Sequence, residues 1–130
     1  MKRLLLIVLP LLLIVGCSKP ISEETLIDKD GLKYHPETKE LYSGEVFSLY
    51  VDGKKEFEGS YKDGIMWSKT EWVWYKNGQK KEEKTYKDGK EDGLWTFWYS
   101  NGQKQLEETY KDGLVVETIG KWNEDGSVRK

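Results

Sequence analysis

Hydrophobic and polar positions follow two different patterns along this chain. From Leu4 to Val15 no charged side chain interrupts the apolar run. Further on, apolar residues come in short groups between lysines, glutamates and Asn/Asp-Gly pairs. Over Gln103 to Tyr110 they alternate with period two, with Leu106, Glu108 and Tyr110 on one face and Gln103, Gln105 and Glu107 on the other. That period predicts strands at Leu94 to Tyr99 and Gln103 to Tyr110, joined across Asn101-Gly102.

The same pattern recurs. Tyr50-Val51-Asp52-Gly53, Tyr75-Lys76-Asn77-Gly78 and Tyr99-Ser100-Asn101-Gly102 form one series, and Tyr61-Lys62-Asp63-Gly64, Tyr86-Lys87-Asp88-Gly89 and Tyr110-Lys111-Asp112-Gly113 a second, in step with it. Ser43-Gly44 aligns with Asp92-Gly93, the middle unit has Ser68-Lys69 there with a one-residue insertion, and Trp122 to Gly126 reads as a truncated fourth copy. Nine of the thirteen glycines follow Asp or Asn, which predicts hairpin turns with positive φ at both central residues. Stacked copies would align Tyr61, Tyr86 and Tyr110 in one aromatic ladder and Tyr50, Tyr75 and Tyr99 in another. The expected fold is all-β, an antiparallel meander of repeated hairpins.

Composition agrees with this reading. The chain has no alanine, and beyond residue 16 it holds few aliphatic residues but 17 aromatic ones, which favours strands over helices and a thin core. A length of 130 residues suits one domain. Without Lys2 and Arg3 there remain 19 basic and 23 acidic residues, a net charge of −4. No basic stripe stands ready for phosphates, which argues against a nucleic-acid partner.

Met1-Lys2-Arg3 followed by the apolar run has the form of a secretory signal. As a helix the run reaches only about 18 Å, too short for a hydrocarbon core of roughly 30 Å. Ile14-Val15-Gly16-Cys17 resembles the bacterial lipobox. That resemblance implies cleavage before Cys17, acylation of its thiol and new amino terminus, and stable membrane anchoring. Residues 1–16 are then a cleaved lipoprotein signal peptide, 17–29 the lipidated Cys17 and a tether, and 30–130 the repeat domain. Cys17 is the only cysteine, so no thiol remains for a disulfide, redox chemistry or metal ligation. Ser18, in place of the aspartate of inner-membrane retention, favours the outer membrane where the organism has one, and otherwise the outer face of the plasma membrane.

Gly93-Leu94-Trp95-Thr96-Phe97-Trp98-Tyr99-Ser100-Asn101-Gly102 resembles the bacterial variant of the MORN repeat, and Tyr42-Ser43-Gly44-Glu45-Val46 is similar to its opening unit in exported members. The resemblance spans residues 31 to 126; the middle copy lacks the leading glycine and offers Trp67, Trp72 and Trp74 instead. It implies an elongated antiparallel sheet with a binding or scaffolding role. Some bacterial members carry the label of antitoxin or immunity-like partner.

No constellation points to catalysis. His35, the only histidine, falls in a turn without a second histidine or a ligand cluster. Glu82-Glu83 and Glu107-Glu108 are adjacent in strands and so face opposite sides, unlike the paired carboxylates of a glycosidase. The six tryptophans are more informative. The candidate partner-binding residues are Trp67, Trp72, Trp74, Trp95 and Trp98, since Trp and Tyr anchor interfaces. Trp95, where the repeat pattern places Trp, is expected to shield the sheet, and Trp67 and Trp72 break the pattern. These residues predict a non-enzymatic, membrane-anchored protein of the bacterial envelope without a cofactor or metal. It would engage a protein partner, with a glycan or peptidoglycan as the alternative.

Overall fold

The computed structural model describes residues 18–130; the signal segment 1–16 and Cys17 lie outside them. In chain order the strands are β1 (Ile21–Ser22), β2 (Ile27–Lys29), β3 (Leu32–Tyr34), β4 (Gly44–Leu49), β5 (Lys55–Lys62), β6 (Ile65–Trp74), β7 (Lys80–Lys87), β8 (Lys90–Glu91), β9 (Gly93–Trp98), β10 (Lys104–Lys111) and β11 (Leu114–Lys121). Nine of them form one sheet in the order β1-β4-β5-β6-β7-β9-β10-β11, with β8 also on β7; β2 and β3 form a separate hairpin. All pairings are antiparallel except β1 with β4. The all-β meander of repeated hairpins is thus the observed architecture.

Two kinds of turn alternate along the meander. At Asp63-Gly64, Asp88-Gly89 and Asp112-Gly113 both central residues have positive φ, the aspartates at 49° to 50°. This is the primed geometry that matches strand twist. The other series of turns differs from expectation, because at Gly53, Gly78, Gly102 and Gly126, after Asp52, Asn77, Asn101 and Asp125, only the glycine has positive φ, between 83° and 87°. The reason is a local side-chain bond: Asn77 Oδ1 accepts from the Gln79 amide at 3.0 Å, and Asn101 does the same for Gln103. That bond keeps Asn in the right-handed region while the following glycine forms a bulge.

Packing divides into two clusters. Leu26, Tyr42, Val46 and Tyr61 form the first, with Ile21, Phe57 and Met66 against it. Its membership corrects the expected tether over 17–29. From Ile21 onward this segment belongs to the folded domain: β1 pairs with Val46 and Phe47, and Leu26 is buried. The otherwise exposed edge and face of β4 need an apolar cover, and Ile21 and Leu26 supply it. Glu23 secures the segment by accepting from the Tyr61 hydroxyl at 3.1 Å and pairing with Lys33 at 2.9 Å.

The second cluster centres on Trp95, whose ring lies 5.3 Å from Tyr86 and 4.6 Å from Tyr110 between centroids. The expected ladder of Tyr61, Tyr86 and Tyr110 is therefore interleaved: Trp95 separates the last two, and Tyr61 meets Tyr42 instead. The other tyrosine series couples repeats by hydrogen bonds. The hydroxyls of Tyr50, Tyr75 and Tyr99 donate to the carbonyls of Trp72, Trp98 and Trp122, at 3.1, 2.8 and 3.0 Å. Asn77 and Asn101 amides add donations to Ser100 and Glu124 carbonyls, each 2.7 Å.

Candidate functional site

The expected site was the tryptophan set, and strand register sorts its members. Residues directly opposed in antiparallel strands share a face. Trp72 opposes Glu83, Glu83 opposes Thr96, and Thr96 opposes Glu107, so Trp72 and, by alternation, Trp74 and Trp98 share one face. Trp95 lies on the other, with Phe97, Tyr86 and Tyr110. The structure thus does not gather all five into one patch.

Trp95 is a core side chain. It is buried, and its indole N–H donates to the Thr85 carbonyl at 2.9 Å. Lys84 covers it, with its ammonium 5.1 Å from the ring centroid. This is the shielding position expected of it.

On the opposite face a motif recurs in three repeats. Lys55 pairs with Glu58, Lys80 with Glu83 and Lys104 with Glu107, and each lysine also lies over a tryptophan of the next turn region: Trp72, Trp98 and Trp122, at 5.6, 5.7 and 6.0 Å. Trp72 further donates to Glu83 at 2.6 Å, and Trp74 to the Lys55 carbonyl at 2.8 Å. Trp72, Trp74 and Trp98 are half-buried members of this layer, each with part of its surface in solvent. Trp122 belongs to it too, lying over Gly120, where a Cβ would come within 2.3 Å of its ring. That residue was not among the candidates, although its place in the truncated fourth copy could have suggested it.

Trp67 is different. Ser60 opposes Ser68 and Tyr61 opposes Met66, so Trp67 is an extra residue in β6, a bulge that re-aims its side chain. It is 41% exposed, and Lys62 and Lys87 converge on its ring.

The middle repeat also departs from its neighbours in the core. Against the following strand Val46 opposes Gly59, Glu71 opposes Lys84 and Trp95 opposes Glu108, so Glu71 occupies the place of the core tryptophan. Its carboxylate pairs with Lys69 at 2.5 Å, and Lys69 lies 5.1 Å from the Tyr86 ring. Burial first, and then Glu71, pushes the Tyr86 hydroxyl up to about 12. A small cavity of about 340 Å³ opens beside them, lined by Met66, Trp67, Ser68, Lys69, Glu71, Tyr86 and Gly89.

A larger trough of about 860 Å³ lies on the other face of the N-terminal half. Its lining includes Ser60, Ser68, Thr70 and Thr85, with Phe47 and Leu49 among the apolar members.

His35 and the adjacent glutamates have structural partners. His35 Nδ1 accepts from the amides of Glu37 and Thr38 at 3.2 and 3.4 Å, ordering its turn. Glu82 pairs with Lys84, and Glu108 accepts from Tyr110 and Thr118. Such bonds suit a sheet surface rather than proton transfer.

No curated protein and no solved structure matches the chain. Residues 71–88 and 91–112 match the family described as MORN repeat variant. MORN repeats are in general non-enzymatic binding or scaffolding modules, and both matched stretches lie on the antiparallel β-meander of hairpins.

Proposed function

We propose that the protein is a lipid-anchored, non-catalytic binding or scaffolding protein of the bacterial envelope that engages a protein partner, a toxin in an immunity-like pairing being one form. One observation carries this reading. Among the described residues only Leu26, Tyr42, Val46, Tyr61, Gly64, Trp95 and Thr96 are buried, so a largely single-layer sheet keeps most of its tryptophans and tyrosines in reach of solvent. Such amphipathic rings on strands are suited to anchor an interface. Anchoring through Cys17 rests on the lipobox resemblance.

The glycan reading draws on the hydroxyl-bearing trough. Against it, sugars stack on open ring faces, and Lys55 and Lys80 lie over Trp72 and Trp98. A protein partner, which combines apolar contact with charge, fits that surface better.

Crosslinking capture from membranes with the full-length chain as bait tests the proposal. The expected result is a discrete protein adduct that survives muramidase treatment. Retention only on peptidoglycan, released by muramidase, would transfer the site to the glycan reading. Separately, Cys17→Ser should abolish lipid labelling and leave the chain uncleaved before residue 17. Normal processing of that variant would remove the anchor.

A further inference from the structure

The repeats permit an internal comparison at the bulge beside each Lys-Asp-Gly turn. Three residues after the turn glycine stand Trp67 in the middle repeat and Asp92 in the next. Each position is flanked by the lysines that follow the repeat tyrosines. Lys87 and Lys111 flank Asp92; Lys62 and Lys87 flank Trp67.

At Asp92 the flanked group is an anion. Its carboxylate pairs with Lys111 at 3.0 Å, and Lys111, with Lys87 further off, holds the carboxyl below its usual range. At Trp67 the flanked group is an indole, with the two ammoniums 5.5 and 5.3 Å from its centroid. Among the described residues no carboxylate forms an ion pair with Lys62 or Lys87. The nearby Glu71 carboxylate is already held by Lys69. Two cations thus meet over an aromatic ring at the position where the next repeat has a carboxylate.

We infer that Trp67, Lys62 and Lys87 form a docking site for an acidic peptide segment of the partner protein, whose carboxylate takes the place that Asp92 fills one repeat further on. The indole gives the segment an apolar wall that Asp92 does not provide. Ile65, 59% exposed, and the cavity beside Met66 extend that wall for an apolar neighbour of the acidic residue. The cationic site stands on a domain of negative net charge. That selects a discrete carboxylate over a broad anionic surface such as a lipid headgroup layer. The inference rests on the protein-partner reading and names the chemistry of that partner.

The test uses the full-length chain in detergent and a fluorescein-labelled peptide of alternating Glu and Leu, followed by anisotropy. The matched peptide with Gln for Glu and vesicles of phosphatidylcholine with phosphatidylglycerol serve as rival probes. The acidic peptide should bind in a salt-sensitive way, and Trp67→Ala, Lys62→Gln and Lys87→Gln should each weaken it by roughly tenfold or more. Trp67→Asp is the decisive variant, because it restores in cis the anion of the next repeat. It should remove peptide binding while the melting temperature holds. Undiminished binding by Trp67→Asp, equal binding of the Gln peptide, or a preference for the vesicles would overturn the inference. Membrane capture of the wild-type partner by Trp67→Asp at full yield would sink this site alone. Failure of the wild-type chain to capture any protein would sink the protein-partner reading itself.

Discussion

A single ring, Trp95, holds together the C-terminal half of the sheet. Truncating it removes its contacts with Tyr86, Tyr110 and Phe97 together with the bond to the Thr85 carbonyl. Trp95→Ala should lower stability by about 3 to 5 kcal/mol, the usual cost of removing a buried aromatic, and a denaturant melt will measure it. Two tyrosines give a second expectation at this scale. Burial and then Glu23 push the Tyr61 hydroxyl up to about 12, and burial and then Glu71 do the same for Tyr86. A folded-state pKa raised above the unfolded value of roughly 10 favours the neutral phenol in the fold. Their contribution is therefore complete below about pH 10 and is lost as pH rises toward 12. Alkaline unfolding should begin in that window, and an ultraviolet titration should find Tyr61 and Tyr86 ionising last, with Tyr42, Tyr50 and Tyr110 also delayed by burial. A normal pKa for Tyr61 would mean that the hydroxyl is neither buried nor clamped by Glu23.

At the scale of elements, the turns decide which parts of the fold could be read in advance. Asn/Asp-Gly spacing located the hairpins because few other residues tolerate those backbone angles. It did not distinguish the two turn types, which differ by one side-chain-to-amide bond at Asn77 or Asn101. The N-terminal cap was also illegible, since Ile21 and the Leu26-Ile27 pair follow no strand period and acquire meaning only beside β4. Trp95 could be assigned from its repeat position, whereas Trp67 as a bulge depends on the register of β5 against β6. Two substitutions test the turns. A Cβ at Gly78 meets nothing within 4 Å, so Gly78→Ala adds only the strain of φ +86° and should cost about 1 to 2 kcal/mol by thermal melt. Tyr75→Phe deletes one donation to the Trp98 carbonyl and should cost about 1 kcal/mol. A neutral Tyr75→Phe would show that this link between repeats contributes nothing measurable.

For the whole molecule, stability should grade along the sheet. Central β6 and β7 have neighbours on both sides, while β11 is a terminal strand with Leu114, Val115, Val116 and Ile119 exposed. Amide hydrogen exchange should therefore be fastest in β11 and slowest in β6 and β7, since local opening follows the number of buried contacts and flanking strands. Uniform protection across the sheet would mean that the repeats open as one unit. In the fourth turn Asn123 replaces the Tyr of earlier copies, and Asp125 stands where the second and third have Asn and the first has Asp52. Asn123 bonds to Ser127 within its own turn, and Asp125 has no amide with which to donate.

The donations that the tyrosines and asparagines of each turn make to the next all run one way along the chain, and this gives synthesis a part in folding. As the polypeptide leaves the ribosome, Tyr75 and Asn77 have nothing to hold until Trp98 and Ser100 follow, 23 residues behind. Each hairpin closes through its own backbone ladder but gains its side-chain link to the next turn only when its successor has emerged, so order of translation becomes order of linkage. The fourth turn accepts the bonds of Tyr99 and Asn101, so the third hairpin gains its link as soon as Trp122 and Glu124 arrive.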